Sequence, residues 1–238
     1  MFMIRMAVLT YRLFLVLMMG SGCVGLSPGS PSVVVKRTQM HMGTLVSITA
    51  VAPTDQAAHN AINAGFQEVK RLEQLLSTWI PSSELSLVNA SAGIRPVPVS
   101  PETWRVVQRA RQAADMTGGG FNIAIGPAVD VWRVTESQRI PTESELDALR
   151  PLVDLQAVHV DVWEQTIYLE KTGMRIDVGG IGKGYAADQA VAALRRAGAV
   201  AGVVALSGDI KTIGQLPGRR KYPVGIQHPR KAGEVHVY

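Results

Sequence analysis

The sequence predicts an α+β fold, in which strands and helices are mixed without strict β–α–β alternation. Residues 44–51 (TLVSITAV) are rich in β-branched side chains and alternate roughly in polarity, which is typical of a strand. Residues 158–162 and 166–170 are two short β-rich runs close together, which predicts a hairpin. Helical patterns occupy much of the sequence between the first strand and this hairpin, so the order of elements disfavours a doubly wound parallel sheet.

The first two predicted helices follow from apolar spacing and from end signals. Over residues 57–76, apolar side chains recur every three or four positions, which gives a helix with one buried face. The second helix has Ser100 as its N-cap and Pro101 at its first position. Three consecutive glycines, residues 118–120, end that helix.

The second half of the chain predicts shorter elements. Thr142 and Glu145 form a capping box, S/T-x-x-E, for a short helix. Residues 174–178 (MRIDV) predict a strand, a helix follows over residues 183–197, and the apolar run 200–206 predicts a further strand.

Composition and charge exclude several classes of protein. A hydrophobic content of 47% excludes a disordered chain, and a single cysteine excludes a disulfide framework or a Cys-rich zinc site. Residues 1–22 carry two arginines and no acid, so the remainder carries 22 basic against 19 acidic residues. Because the basic residues are scattered apart from residues 219–221, the sequence predicts no nucleic-acid partner.

The N-terminus has the pattern of a secretory signal. Residues 1–22 combine the two arginines, an apolar run over residues 13–19, and small residues directly before Cys23. This pattern resembles a bacterial lipoprotein signal, in which Cys23 is lipidated; ordinary signal cleavage with Cys23 incidental is the alternative. Residues 23–32 then form the lipidated end and a Gly-, Ser- and Pro-rich tether, and residues 33–238 form the folded domain.

One glycine-rich segment carries the sharpest chemical signal. A β-like run ends at Asp177, several glycines follow, and a helix is expected to begin near Lys183. Glycines allow the backbone to approach a ligand, and N–H groups at a helix start favour phosphate. The segment has no Ser or Thr after Lys183, and Tyr185 replaces the third glycine of a dinucleotide fingerprint. It therefore predicts a phosphate-bearing ligand at a helix start, with a tight structural turn as the alternative.

Several short motifs occur in a fixed order along the chain. They are Met42-Gly43-Thr44; Ser77-Thr78-Trp79 with Ser83-Glu84-Leu85-Ser86-x-x-Asn89; Phe121-Asn122-x-x-x-Gly126-Pro127-x-Val129-Asp130-x-Trp132; Ile176-Asp177-x-Gly179-Gly180-Ile181-x-Lys183-Gly184-Tyr185-Ala186-x-Asp188; Ser207-Gly208-Asp209-Ile210; and Val224-Gly225-Ile226-Gln227-His228-Pro229. In this order the series resembles the ApbE family over roughly residues 34–230. The resemblance implies an ApbE-like mixed fold with an antiparallel or mixed sheet and flanking helices.

The resemblance also implies an activity, that of an FAD:protein FMN transferase. FAD is the substrate and is bound with Mg²⁺, a Thr or Ser hydroxyl of an acceptor protein attacks the FMN phosphorus, and AMP leaves. The expected acceptor is a subunit of a membrane redox complex. The expected location is the periplasmic side of the bacterial inner membrane, with Cys23 as the lipid anchor. The alternatives are a non-catalytic FAD-binding lipoprotein and a tethered structural protein whose glycine turns are architectural.

Site residues follow from the resemblance, motif by motif. FAD contacts are implied for Met42, Trp79 (stacking on a ring), Gly120, Phe121, Asn122, Asp177 and Lys183, and an Mg²⁺ contact for the backbone carbonyl of Gly180. The family usually has Asp where this chain has Asn122, so one charge at the FAD site is lost. Family members continue after the region of Tyr238 with the side-chain ligands of Mg²⁺ and the catalytic base. We therefore expect this sequence to lack the C-terminal part of the family domain, and no catalytic residue is assigned.

Overall fold

The computed structural model describes residues 32–133, 139–218, 222–231 and 233–237. The predicted signal peptide, Cys23 and the tether up to Pro31 lie outside these residues. The α+β prediction is confirmed, because helices and antiparallel sheets are mixed along the described chain. Within the described ranges, no helix combines the length and the apolar character needed to cross a membrane.

The described residues contain nine strands and six α-helices. The strands are β1 (Val33–His41), β2 (Thr44–Ala52), β3 (Val97–Pro98), β4 (Val158–Asp161), β5 (Thr166–Leu169), β6 (Ala201–Leu206), β7 (Asp209–Ile213), β8 (Gly225–Gln227) and β9 (Val235–Val237). The helices are α1 (Asp55–Leu76), α2 (Glu84–Ala90), α3 (Pro101–Met116), α4 (Gly126–Trp132), α5 (Glu143–Leu149) and α6 (Gly179–Arg196). Short 3₁₀ turns cover Ile123–Ile125, Arg150–Leu152 and Leu155–Ala157.

The main sheet has four antiparallel strands in the order β1-β2-β6-β7. The β1–β2 ladder runs from the pair Val33–Ala52 to the pair His41–Thr44, which leaves a turn of two residues. Helices α1 and α6 pack on each other and on this sheet. They approach closely at Gly65, where a Cβ would lie 2.4 Å from Leu194 Cδ1.

The two smaller sheets are also antiparallel. One has the order β3-β5-β4, and the other pairs β8 with β9. The hairpin formed by β4 and β5 confirms the sequence prediction for residues 158–162 and 166–170.

The helix ends are fixed by the residues that the sequence indicated. Ser100 accepts a hydrogen bond from the N–H of Thr103 at 3.4 Å, and Pro101 is the first residue of α3. In α5 the capping box is complete, because the Thr142 hydroxyl accepts from the Glu145 N–H and the Glu145 carboxylate accepts from the Thr142 N–H. These local pairs satisfy N–H groups that have no partner inside a helix.

Two predictions about local structure were wrong. Residues 174–178 are not a strand, because their backbone groups bond to other partners than a β-ladder. Both the N–H and the C=O of Ile176 bond to the side chain of Asn89, at 2.8 Å and 3.0 Å, and the Asp177 N–H donates to the Ile123 carbonyl at 2.8 Å. The following helix, α6, begins at Gly179 and not near Lys183, so the glycines lie inside its first turns.

Candidate functional site

A cavity of about 410 Å³ opens where three distant segments of the chain meet. The segments are the β1–β2 turn, the end of α1 with the residues after it, and the start of α6. The lining residues are Met42, Gly43, Glu73, Leu76, Ser77, Thr78, Trp79, Ile80, Asp177, Val178, Gly179, Gly182 and Lys183. This volume is within the usual range for small-molecule sites, roughly 300–1,000 Å³.

The first wall is the two-residue turn Met42–Gly43. Both residues have positive φ, 50° and 68°, as the tight turn of a hairpin requires. The end of the Met42 side chain reaches the start of α6, since a Cβ on Gly182 would lie 3.9 Å from Met42 Cε. The turn therefore joins the main sheet to the cavity and to α6.

The second wall is the segment that leaves α1, residues 77–80. The Ser77 carbonyl accepts from the hydroxyls of Ser83 at 2.5 Å and Ser86 at 3.2 Å, and Ser83 is fully buried. The Trp79 N–H donates to Ser77 Oγ at 3.1 Å. The backbone of this segment is thus fixed, while the indole of Trp79 is 78% exposed at the rim of the cavity.

The third wall is the start of α6. Asp177 Oδ1 accepts from the Gly179 N–H at 2.7 Å, so its carboxylate satisfies one N–H at the helix start. Lys183 lies one turn further on, with Nζ 3.3 Å from the Gly179 carbonyl oxygen. The positive end of the helix dipole and the Lys183 ammonium therefore face the same cavity, which favours an anionic group such as a phosphate.

The structure brings four of the predicted site residues together at this cavity and leaves the others outside its lining. Met42, Trp79, Asp177 and Lys183 line the cavity, while Gly120, Phe121, Asn122 and Gly180 do not. All these roles in binding FAD or Mg²⁺ stay predictions.

The residues outside the lining are nevertheless connected to the site. A Cβ on Gly180 would lie 3.0 Å from Phe121 Cε2, so the phenyl ring packs closely on the start of α6 and would have to shift slightly to admit a side chain there. Asn122 accepts from the Ala124 N–H at 2.8 Å and caps the 3₁₀ turn. The carbonyl of Ile123, in the same 3₁₀ turn, accepts a hydrogen bond from the Asp177 N–H.

The oxygen donors described at the site do not by themselves make up a complete ligand set for Mg²⁺. Mg²⁺ binds in octahedral geometry to hard oxygen ligands. The Asp177 carboxylate, whose Oδ1 accepts from the Gly179 N–H, and the backbone carbonyl of Gly180 at the start of α6 are two such oxygen groups, fewer than an octahedral shell needs. Among the described residues, no group of three or more His, Cys, Asp or Glu side chains could hold a metal ion.

Sequence reasoning missed two residues that support the site. Glu73 lines the cavity and accepts from the Met42 N–H, and Asn89 holds the segment before Asp177. Glu73 gave no local signal, because a polar residue in a helix is unremarkable. Asn89 stood in one of the quoted motifs but was given no role, since its partner lies 87 positions away in the chain.

The fold and the cavity together define a class of protein, an α+β domain whose glycine-rich helix start faces a cavity of ligand size. The model of the ApbE family matches residues 42–238, and the chain belongs to this family, as the motif series predicted.

Curated relatives agree with this assignment. An FAD:protein FMN transferase of Klebsiella pneumoniae (strain 342) is 32% identical over 165 residues, which cover 69% of this chain and 50% of that protein. One of Treponema pallidum (strain Nichols) is 29% identical over 213 residues, covering 83% and 59%. The chain thus spans between half and three fifths of the length of these relatives.

The structural matches concern the fold. The flavin transferase ApbE from Vibrio cholerae has a TM-score of 0.77 at 21% identity, with 87% of this chain and 68% of that chain covered. The ApbE protein from Thermotoga maritima has a TM-score of 0.75 at 24% identity, with 84% and 65% covered.

Proposed function

We propose that this chain acts in the transfer of FMN from FAD to a Thr or Ser hydroxyl of an acceptor protein. The observation that carries the proposal is that Met42, Trp79, Asp177 and Lys183 line one and the same cavity. These residues come from three motifs that are far apart in sequence, and the resemblance implied FAD contacts for each of them. The names of the curated relatives support the same activity.

The proposed reaction needs positive charge beside the phosphates, and one wall of the cavity offers it. The acceptor hydroxyl oxygen forms a bond to the FMN phosphorus, and its proton passes to a base. The bond from that phosphorus to the bridging pyrophosphate oxygen breaks, and AMP leaves with the bonding electrons. Such transfers depend on positioning and on neutralising phosphate charge. Lys183 and the start of α6 supply positive charge at the cavity, while Mg²⁺ enters the proposal from the resemblance alone.

The test is a transfer assay with the full chain, FAD, Mg²⁺ and a membrane redox-complex subunit that carries the acceptor Thr. We expect mass spectrometry to find FMN added to the acceptor, and none on a matched acceptor with Val in place of that Thr. FAD binding without transfer would favour the non-catalytic FAD-binding lipoprotein. A chain that binds no FAD would contradict both the transferase and the FAD-binding lipoprotein. The tethered structural protein would then be the remaining alternative.

We also propose that the protein is anchored by lipid at Cys23 on the periplasmic side of the inner membrane. The support is the signal-like pattern of residues 1–22 directly before Cys23. The substitution Cys23→Ser removes the only thiol, so we expect the protein in the soluble periplasmic fraction. If Cys23→Ser remains with the membrane, the lipid anchor is wrong.

A further inference from the structure

The Met42–Gly43 turn has a backbone group that the β-ladder does not satisfy. The β1–β2 pairing ends at His41 and Thr44, so the N–H of Met42 lies beyond the last pair of the ladder. Met42 has a φ of 50°, in the left-handed region that residues with a side chain seldom adopt. Such a conformation persists where neighbouring contacts hold it in place.

Glu73 supplies that contact from another element. Its Oε1 accepts from the Met42 N–H at 2.7 Å, a short bond of the charge-assisted kind. Glu73 stands in the last turn of α1, 31 positions along the chain, and it also lines the cavity. One side chain therefore ties the hairpin turn to the helix behind it.

The second oxygen of Glu73 is engaged as well. Oε2 lies 3.4 Å from Nδ1 of His41, and Nε2 of the same ring lies 3.0 Å from Gln39 Oε1. The His41 ring also packs beside Phe66, at 5.9 Å between ring centroids. Because both carboxylate oxygens have partners in the protein, Glu73 stabilises the turn and is poorly placed to bind a ligand directly.

We propose that Glu73 is a positioning residue that holds the Met42–Gly43 turn as a fixed wall of the flavin-nucleotide cavity. This inference rests on the proposed function, since it assumes that the cavity binds FAD. In this proposal the reach of the oxygen acceptor at residue 73 is the main requirement, and its negative charge adds a smaller part. Length and charge can be separated by substitution.

The test compares four variants of the full chain by isothermal titration with FAD. Glu73→Ala and Glu73→Asp, which is one methylene too short to reach the Met42 N–H, should each weaken FAD binding about tenfold. Glu73→Gln keeps an oxygen at the same reach and should bind FAD within about threefold of the parent. Glu68→Ala, on the same helix but outside the cavity lining, is the matched control and should bind as the parent does.

In the transfer assay, Glu73→Asp should raise the KM for FAD about tenfold and leave kcat within about twofold. A residue that mattered only for folding would lower the active fraction, and so kcat, in proportion. Equal FAD affinity in Glu73→Asp and the parent overturns the inference, and so does equal loss in Glu73→Gln and Glu73→Asp. If Glu73→Ala unfolds, the Asp and Gln variants decide the question. A parent chain that binds no FAD contradicts the proposed function instead.

Discussion

Lys183 is the residue on which the proposed binding of phosphate at the cavity most depends. Among the described lining residues it is the only basic side chain, and it faces the same space as two carboxylates, Glu73 and Asp177. We expect Lys183→Ala to weaken FAD binding about tenfold, because it removes the cation that the phosphates would meet at the start of α6. Isothermal titration at two salt concentrations measures this, with the exposed Lys36→Ala as control. Equal affinity in Lys183→Ala and the parent would contradict the placement of the phosphates.

The sequence was informative about residues whose predicted roles belong to their own side chains. The motif series indicated Met42, Trp79, Asp177 and Lys183, and the fold brings all four to one cavity. It was silent about Glu73, because this residue acts by bonding to the backbone of a turn far away in the chain. Such a role depends on tertiary structure and leaves no local pattern.

At the scale of elements, the capping box of α5 gives stability that depends on pH. The hydrogen bond from the Thr142 backbone, with those from the Arg139 and Thr142 side chains, lowers the pKa of Glu145 to about 2. Since the pKa of Glu145 in the folded protein lies below the ordinary value of 4.5, the ionised carboxylate contributes to the free energy of unfolding above pH 4.5. That contribution is lost as the pH falls toward 2. Glu145→Gln should therefore flatten the pH dependence of stability in that window, by a small amount because the pair with Arg139 is exposed.

The measurement for Glu145→Gln is the urea midpoint at several pH values between 2.5 and 6. Glu164→Gln, in the exposed turn between β4 and β5, is the control and should follow the parent curve. Identical curves for Glu145→Gln and the parent would show that the capping box carries no acid-sensitive stability.

Elements with signals inside their own sequence were predicted well, and those without were not. The cap at Ser100 and the capping box at Thr142 are local, so α3 and α5 were found with their starts. Strand β1 was missed, because its alternate positions Arg37, Gln39 and His41 are polar, although they are half-buried against the rest of the fold. Residues 174–178 have the composition of a strand, yet they pair with no other strand. The side chain of Asn89 bonds to the backbone of Ile176 where a neighbouring strand would do so.

At the scale of the whole molecule, the site depends on a close contact outside its lining. The Gly126 N–H donates to the Arg175 carbonyl at 3.2 Å, and a Cβ on Gly126 would lie 2.6 Å from that oxygen. Because the obstacle is backbone, Gly126→Ala must displace the segment that leads to Asp177. We expect a loss of about 2 kcal/mol in the free energy of unfolding, typical of overpacking, together with weaker FAD binding.

Urea unfolding and isothermal titration of the same samples measure both effects of Gly126→Ala. The control is Gly208→Ala, in the turn between β6 and β7, where a Cβ would meet nothing within 4 Å. Full stability and full FAD affinity in Gly126→Ala would mean that the contact with Arg175 does not set the position of Asp177.

The fold class was predictable from the mixture of helical and β-like patterns, whereas the assembly of the sheets was not. Strand β2 pairs with β1 beside it in sequence and with β6 far along the chain. Pairing between strands so far apart in sequence depends on the packing of α1 and α6 on the sheet. No short stretch of sequence contains the information about that packing.

The exposed indole of Trp79 gives this protein an optical reporter of its own. The chain has four tryptophans, and the described cavity lining contains only this one. An aromatic ring of a nucleotide that stacks on Trp79 would quench its emission and move it to shorter wavelength, as water leaves the indole. The part of the signal lost in Trp79→Phe then belongs to the cavity, while the remaining tryptophans serve as an internal reference. Occupancy can thus be followed in real time, without a label and before any chemistry occurs.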